Sequence, residues 1–175
     1  MQAAGGTTLK GRRQLGLLLG IAVFVLAADI ISKAIVTAHI RMGADIHLIG
    51  NVLMLTQTRN GGAAFSMGTS VTIVFTLIAA GVVVYILRTA RRLYSVGWAV
   101  ALGLLLGGAT GNLVDRIFRA PGLFRGDVVD WIAVVPKVWP VFNLADSSIC
   151  CGGVLIALLA LRGIRLDGTR VDRDK

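Results

Sequence analysis

The chain contains no glutamate, so each of its nine acidic residues is an aspartate and any carboxylate chemistry must use aspartate. It also has only two cysteines and two histidines, too few for a zinc site of the usual kind. The cysteines, Cys150 and Cys151, are adjacent, and neighbouring cysteines rarely pair with each other. Neither HExxH nor GxSxG occurs. These absences argue against metal-dependent and serine hydrolases, and we expect no cofactor.

Charged residues are also scarce, at 15% of 175 residues, whereas soluble domains carry roughly 25%. Because 55% of the residues are hydrophobic, a soluble protein of this length could not bury them in one core, and a lipid bilayer is the natural solvent. The net charge of +9 could indicate a nucleic-acid partner. However, basic residues that flank membrane spans give the same balance. We therefore expect membrane lipids as partners and no nucleic acid.

Four apolar segments are long enough, or nearly so, to cross a hydrocarbon core, which takes about 20 residues of helix. They cover residues 15–36, 71–87, 93–114 and 142–161. The pattern predicts an all-α membrane protein with four transmembrane helices. A cleaved secretory signal over Leu15–Ala28 is an alternative for the first segment. The apolar run continues to Val36, which favours a retained span.

The first long loop is not simply polar. Ile46–Ile49 and Val52–Thr58 are rich in branched residues and are separated by Gly50 and Asn51. This pattern predicts two short strands around a turn, and hence a small extracytoplasmic β-sheet from the first outer loop.

The basic residues predict the orientation of the spans. Eleven lysines and arginines lie before the first span, between the second and third, or after the fourth, whereas six lie in the two longer loops. Because cytoplasmic loops carry an excess of basic residues, both termini should be cytoplasmic. The predicted organisation is therefore a basic cytoplasmic tail over 1–14, a four-helix domain over 15–162 and a second basic cytoplasmic tail over 163–175. The outer loops would cover about 37–70 and 115–141.

Charged residues inside membrane spans cost at least about 2.5–3.5 kcal/mol each at the bilayer centre, so they usually have a function. Asp29 and Lys33 lie four residues apart on the first span and therefore on one helical face. A structural ion pair explains them, and direct contact with a substrate is the alternative.

The third span carries a polar stripe at helical spacing, formed by Gly108, Asn112, Asp115 and Arg116. The stripe should face the interior of the bundle, where Gly108 would allow close approach of another helix. For Asp115 and Arg116 we expect a role in helix packing rather than in catalysis.

Two further aspartates lie at the edge of apolar sequence. Asp130 stands among apolar residues in Gly126–Ile132, which we interpret as a re-entry into the membrane interface. Asp146 lies in the first turn of the fourth span, where Asn143 could cap the helix but would not account for the carboxylate. Two close carboxylates cannot both ionise easily, so one deprotonates water while the other polarises a peptide carbonyl. Asp130 and Asp146 are therefore candidates for amide hydrolysis.

Five motifs, in order along residues 15–162, resemble lipoprotein signal peptidase, also called signal peptidase II. They are Asp29-x-x-Ser-Lys33, Asn60-Gly-Gly-Ala-Ala-Phe65, Gly107-Gly-Ala-x-Gly-Asn112-x-x-Asp115-Arg116, Val128-Val-Asp130-Trp-Ile and Phe142-Asn143-x-Ala-Asp146. One such motif would be weak, but five at compatible spacing on four spans are specific.

The resemblance implies an aspartic endopeptidase of the bacterial cytoplasmic (inner) membrane. Its substrates would be diacylglyceryl-modified prolipoproteins, cut before the lipidated cysteine, and globomycin would inhibit it. The resemblance assigns the catalytic dyad to Asp130 and Asp146 and assigns no metal ligand. The residues that would support the dyad or bind substrate are Asn60, Gly62, Asn112, Arg116 and Asn143. Those with a structural polar role would be Asp29, Lys33 and Asp115.

Two other classes of protein fit some of these features. A small proton-coupled transporter also places Asp, Lys and Arg in its spans, but near the middle of the bilayer and beside a broken helix. A non-catalytic scaffold would use the polar stripes only to hold helices together. The clustering of Asp115, Asp130 and Asp146 at the outward ends of the spans favours the peptidase.

Overall fold

The structure is a computed structural model that describes residues 13–61, 69–136 and 138–171. Within these ranges the chain forms four long helices and three strands, with a short 3₁₀ turn over Ala90–Arg92. In chain order they are α1 Leu15–His39, β1 Asp45–Ile49, β2 Leu53–Asn60, α2 Thr69–Thr89, α3 Val96–Phe118, β3 Val128–Val134 and α4 Leu144–Leu161.

All four helices are long and apolar enough to cross a membrane. The mean hydropathy of their most apolar segments runs from 1.4 for α3 to 2.4 for α1. The predicted class of a mainly helical membrane protein is therefore confirmed. The predicted bounds of the third span are wrong, because α3 begins at Val96 and continues to Phe118. Asp115 and Arg116 consequently lie near the end of α3.

Helix α3 is the centre of the bundle and contacts the other three helices. In its most apolar segment 56% of the residues are buried, against 17–22% in the other helices. Two glycines bring its neighbours close. A Cβ atom at position 107 would lie 2.7 Å from the carbonyl oxygen of Ala22 in α1, and one at position 108 would lie 2.5 Å from that of Ala145 in α4. The predicted role of Gly108 in close helix approach agrees with this geometry.

The three strands form one antiparallel sheet in the order β1-β2-β3. The hairpin of β1 and β2 agrees with the prediction. The third strand was not predicted: residues 128–134 pair with β2. Val128, Val129 and Ala133 are buried, which anchors β3 to the bundle. The sheet therefore combines the two long loops between helices and sets Asp130 opposite Thr58.

The segment that follows α4 also differs from the prediction of a solvated basic tail. The backbone N–H groups of Tyr94 and Ser95 both donate to the carbonyl oxygen of Leu166, at 2.9 and 3.0 Å. The indole Nε1 of Trp98 donates to the carbonyl oxygen of Ile164 at 2.9 Å. Leu166 packs against the buried cluster around Leu93. Residues 163–171 are thus folded onto the start of α3.

Candidate active site

The carboxylate of Asp130 is buried where β3 meets the helices, with only 2% of the residue exposed. Its Oδ1 accepts a hydrogen bond from Nδ2 of Asn143 at 2.7 Å, and its Oδ2 accepts one from Nδ2 of Asn60 at 2.9 Å. Burial raises the pKa of Asp130 to about 6, and the nearby charge of Asp146 adds to this, while the two amide donors oppose it. Asp130 therefore holds its proton more readily than an ordinary aspartate.

Asp146 is the third residue of α4 and is half-buried. Its Oδ1 accepts from Nδ2 of Asn112 at 2.7 Å, and its Oδ2 accepts from the backbone N–H of Asn143 at 3.2 Å. The second bond completes a capping box, since the side chain of Asn143 accepts from the backbone N–H of Asp146 at 2.9 Å. Helix capping therefore involves Asp146 as well as Asn143, contrary to the expectation that the cap would not account for this carboxylate.

Asn143 connects the two aspartates. Its side-chain amide donates to Asp130 and its backbone N–H donates to Asp146, so both carboxylates lie around one buried asparagine. Sixteen positions separate Asp130 from Asp146 in the sequence. The turn from β3 into α4 brings them together, because Phe142 pairs with Ile132 immediately before α4 begins.

A second polar cluster lies directly behind Asn112. The ammonium group of Lys33 is 2.7 Å from Oδ2 of Asp29, 2.9 Å from Oδ2 of Asp115 and 3.0 Å from Oδ1 of Asn112. Asp115 also pairs with Arg119 and accepts from the backbone N–H of Val129 at 3.2 Å. The ion pair expected from the spacing of Asp29 and Lys33 is present, but it is one part of a network that joins α1, α3 and β3.

The Oδ1 atom of Asp29 accepts from the backbone N–H of Ala145 at 3.1 Å and so also holds the first turn of α4. The carboxylate of Asp29 fits in this position only because residue 111 of α3 is a glycine. A Cβ atom at position 111 would be 2.5 Å from the other oxygen of its carboxylate. Gly111 is within the motif quoted above, but nothing in the sequence indicated that its neighbour would be Asp29.

Arg116 lines a groove between α2, α3 and α4. The centre of its guanidinium group lies 5.9 Å from the ring centroid of Phe75. Its charge interacts with those of Asp146 and Asp130. The groove has a volume of about 270 Å³ and is apolar except at Asn112 and Arg116. Its lining consists of Phe75, Ile78, Ala79, Val82, Leu105, Ala109, Asn112, Arg116 and Ile149.

A second hollow lies on the sheet side of Asp130 and is bordered by Asn60 and Gly61 at the end of β2. Gly62, for which we expected a role in support or substrate binding, lies outside the described residues. Sequence reasoning missed Phe75, because nothing distinguishes this aromatic residue from the lipid-facing side chains around it on α2.

The fold and the site together define a class of protein. Four helices of membrane-spanning length hold two aspartates, joined through a buried asparagine, at the end of the bundle that carries the sheet. This is a multi-pass membrane protein with a paired-carboxylate centre.

The comparisons with known proteins identify the family. Residues 21–162 match the family described as signal peptidase (SPase) II. A lipoprotein signal peptidase of Streptomyces coelicolor is 54% identical over 91% of this chain and 78% of its own length. That of Mycobacterium avium is 49% identical over 95% of this chain and 91% of its own length. A solved bacterial membrane enzyme, at 30% identity, superposes with a TM-score of 0.77 over 88% of this chain and 98% of its own.

The chain therefore belongs to the signal peptidase II family and is a peptidase, as the resemblance predicted. The transporter alternative has no support in these relatives.

Proposed function

We propose that the protein is an aspartic endopeptidase that removes signal peptides from diacylglyceryl-modified prolipoproteins, cutting before the lipidated cysteine. The observation that carries the proposal is the junction of Asp130 and Asp146 at Asn143. It rests further on relatives named lipoprotein signal peptidase at about half identity.

In the proposed reaction Asp146 is ionised and Asp130 carries a proton, in keeping with the raised pKa of the buried Asp130. Asp146 takes a proton from water as the water oxygen bonds to the scissile carbonyl carbon, and Asp130 gives its proton to the carbonyl oxygen. The tetrahedral intermediate then collapses. Asp146 passes its proton to the leaving nitrogen, the C–N bond breaks, and Asp130 recovers a proton as the new carboxylic acid forms. The dyad returns to its starting state.

The apolar groove supports a membrane-embedded substrate. It runs between α2, α3 and α4 from Asn112 and Arg116 past side chains such as Ile78 and Val82. An acyl chain or the apolar helix of a signal peptide would be bound by such a surface. We propose that Asn60, Arg116 and Asn143 hold the dyad or the substrate backbone, that the protein lies in the bacterial cytoplasmic (inner) membrane, and that globomycin inhibits it.

The direct test is cleavage of a diacylglyceryl-modified prolipoprotein by the purified protein, beside the same substrate without the lipid. We expect cleavage of the lipidated form only. Asp130→Asn and Asp146→Asn should each reduce the rate by about 10²- to 10⁴-fold, because either change removes one of the two proton-transfer groups. Both variants should remain in the membrane fraction.

Asp45→Asn is the matched control, since Asp45 lies exposed on β1 and makes no ion pair within the described part of the chain. It should cleave at the wild-type rate. Substantial activity in Asp130→Asn or Asp146→Asn would remove that residue from the dyad, and equal cleavage of both substrates would refute recognition of the lipid.

A further inference from the structure

We propose that Lys33 is a positioning residue that holds Asp146 in place through the amide of Asn112. The proposal rests on the proposed function, because it concerns the same two aspartates. Lys33 lies on α1 and Asp146 on α4, and Asn112 of the central helix α3 stands between them.

Lys33 is fully buried and its three contacts are all acceptors, namely the carboxylates of Asp29 and Asp115 and the amide oxygen of Asn112. Two carboxylates would be enough to neutralise the ammonium charge. The third contact, at 3.0 Å, has a different consequence. An ammonium group can only donate hydrogen bonds, so it selects the orientation in which Asn112 turns its oxygen towards α1.

That orientation determines what Asn112 presents to Asp146. With its oxygen facing Lys33, its nitrogen faces Asp146 and donates to Oδ1 at 2.7 Å. The oxygen also accepts from Nδ2 of Asn143 at 3.2 Å. A flipped amide would set its NH₂ group against the ammonium and against the NH₂ of Asn143, and its oxygen against the carboxylate of Asp146. Lys33 therefore opposes a flip that would leave Asp146 facing an acceptor.

The orientation of Asn112 also affects the second aspartate, through Asn143. Because Asn143 donates to the oxygen of Asn112, its amide nitrogen also faces Oδ1 of Asp130, at 2.7 Å. Lys33 and Asn143 thus both donate to the oxygen of Asn112, while Asn112 donates to Asp146 and Asn143 donates to Asp130.

The charged groups near this path come from every element packed around it. Asp29 lies on α1, Asp115, Arg116 and Arg119 lie on α3 or at its end, Asp130 lies on β3 and Asp146 on α4. A purely structural role for Lys33 would be to neutralise Asp29 and Asp115. The test must therefore separate charge balance from the orientation of Asn112.

Two variants separate charge balance from the orientation of Asn112. They are Asp29→Asn and the double variant Asp29→Asn/Lys33→Met. The single variant keeps the contact of Lys33 with Asn112. The double variant removes one charge of each sign and leaves Asp115 paired with Arg119, so charge balance is kept while the donor to Asn112 is lost. We expect kcat per folded molecule to fall about 10- to 100-fold from the single to the double variant, the usual effect of losing a group that orients a reactive one. KM should not change, because the fully buried Lys33 does not reach the groove.

A second comparison tests whether the effect passes through Asn112. In an Asp29→Asn/Asn112→Ala background, replacing Lys33 by Met should cause little further loss of kcat, since the group it positions is already absent. Equal kcat in the single and double Asp29 variants would overturn the proposal, and so would losses that multiply in the Asp29→Asn/Asn112→Ala background.

If the Lys33 variants do not accumulate, Asn112→Asp tests whether the activity depends on the hydrogen bond that residue 112 donates to Asp146. This variant keeps an acceptor for Lys33 but cannot donate to an ionised Asp146, so kcat should fall as in Asn112→Ala. Wild-type kcat in Asn112→Asp would overturn the proposal. Failure of the proposed function would look different, because the wild-type protein itself would then not cleave the lipidated substrate.

Discussion

At the scale of single residues, a few polar and charged side chains are buried, and removing them from water costs free energy. Asp29, Lys33 and Asn143 have no exposed surface, and Asp115 and Asp130 have 2–3%. Isolated charges at such depth would cost several kcal/mol each, so they persist only with partners. The network of Lys33 provides partners for Asp29 and Asp115. Asp130 has only amide donors, and its burial raises its pKa.

This pKa gives a prediction for the pH dependence of the reaction. Asp130 is protonated below its pKa of about 6 and loses the proton above it. If that proton is transferred to the substrate carbonyl, kcat/KM should fall as the pH rises through about 6, and the initial rate of cleavage measured from pH 4 to 9 checks this.

Asn60→Ala is the informative variant for this profile. Asn60 donates to Oδ2 of Asp130 and thereby favours its charged form. Loss of that donor should raise the pKa of Asp130 and move the falling limb to higher pH. A limb that moves to lower pH, or a rate that increases steadily from pH 6 to 9, would contradict the assignment of the proton to Asp130.

At the scale of the elements, the site depends on how closely α4 packs against α3. The carbonyl oxygen of Ala145 and the side chain of Ile149 lie where a Cβ atom at position 108 would come within 2.5 and 2.9 Å of them. Ordinary Cα–H···O contacts have C···O distances of about 3.3–3.6 Å. Any side chain at position 108 must therefore push away the first turn of α4, which contains Asp146.

We expect Gly108→Ala to reduce kcat by roughly 100-fold, because a shift of about 1 Å is enough to misplace a catalytic group to that degree. It should also lower the unfolding temperature. The control is Gly81→Ala on α2, where a Cβ atom would meet nothing within 4 Å and activity should be unchanged. Wild-type kinetics in Gly108→Ala would show that the spacing of α3 and α4 does not set the position of Asp146.

The segment after α4 is the second element whose packing matters. Trp98→Phe removes the hydrogen bond from its indole to Ile164, worth about 1 kcal/mol, and should lower the unfolding temperature by roughly 2–4 °C in detergent. Trp139→Phe is the control, because Trp139 is 64% exposed at the other end of the molecule. Equal unfolding temperatures for the two variants would mean that residues 163–171 contribute no stability through this contact.

At the scale of the whole molecule, the two ends of the bundle have different chemistry. One end carries the sheet and both aspartates of the site. The opposite end carries exposed arginines at the start of α1, the turn from α2 to α3, and the segment after α4. They are Arg13, Arg88, Arg91, Arg92, Arg162, Arg165 and Arg170. The excess of basic residues on cytoplasmic surfaces favours the orientation in which this second end faces the cytoplasm.

The orientation can be measured by cysteine labelling. In a Cys150→Ala/Cys151→Ala background, a cysteine in place of the exposed His47 on β1 should react with a membrane-impermeant maleimide on cells whose outer surface is accessible. A cysteine in place of the exposed Val171 should react only after the cells are permeabilised. The reverse pattern would place Asp130 and Asp146 on the cytoplasmic side and exclude processing of a substrate at the outer face.

The sequence by itself determined the four spans, the β1–β2 hairpin and the family. Each depends on a local pattern, such as an apolar run, branched residues around a turn, or residues at fixed spacing within a motif. It also placed Asp29 and Lys33 on one face, because helical periodicity relates residues four apart.

Only the tertiary structure decided the rest. Strand β3 exists because β2 lies beside residues 128–134, and a pairing partner 68 to 81 residues away leaves no local signal. The fold of residues 163–171 against Tyr94, Ser95 and Trp98 depends in the same way on a distant neighbour. Above all, the junction of Asp130 and Asp146 at Asn143 requires strand β3 to lie beside the start of helix α4. Contacts between distant segments are set by packing in three dimensions, which the order of residues along the chain does not display.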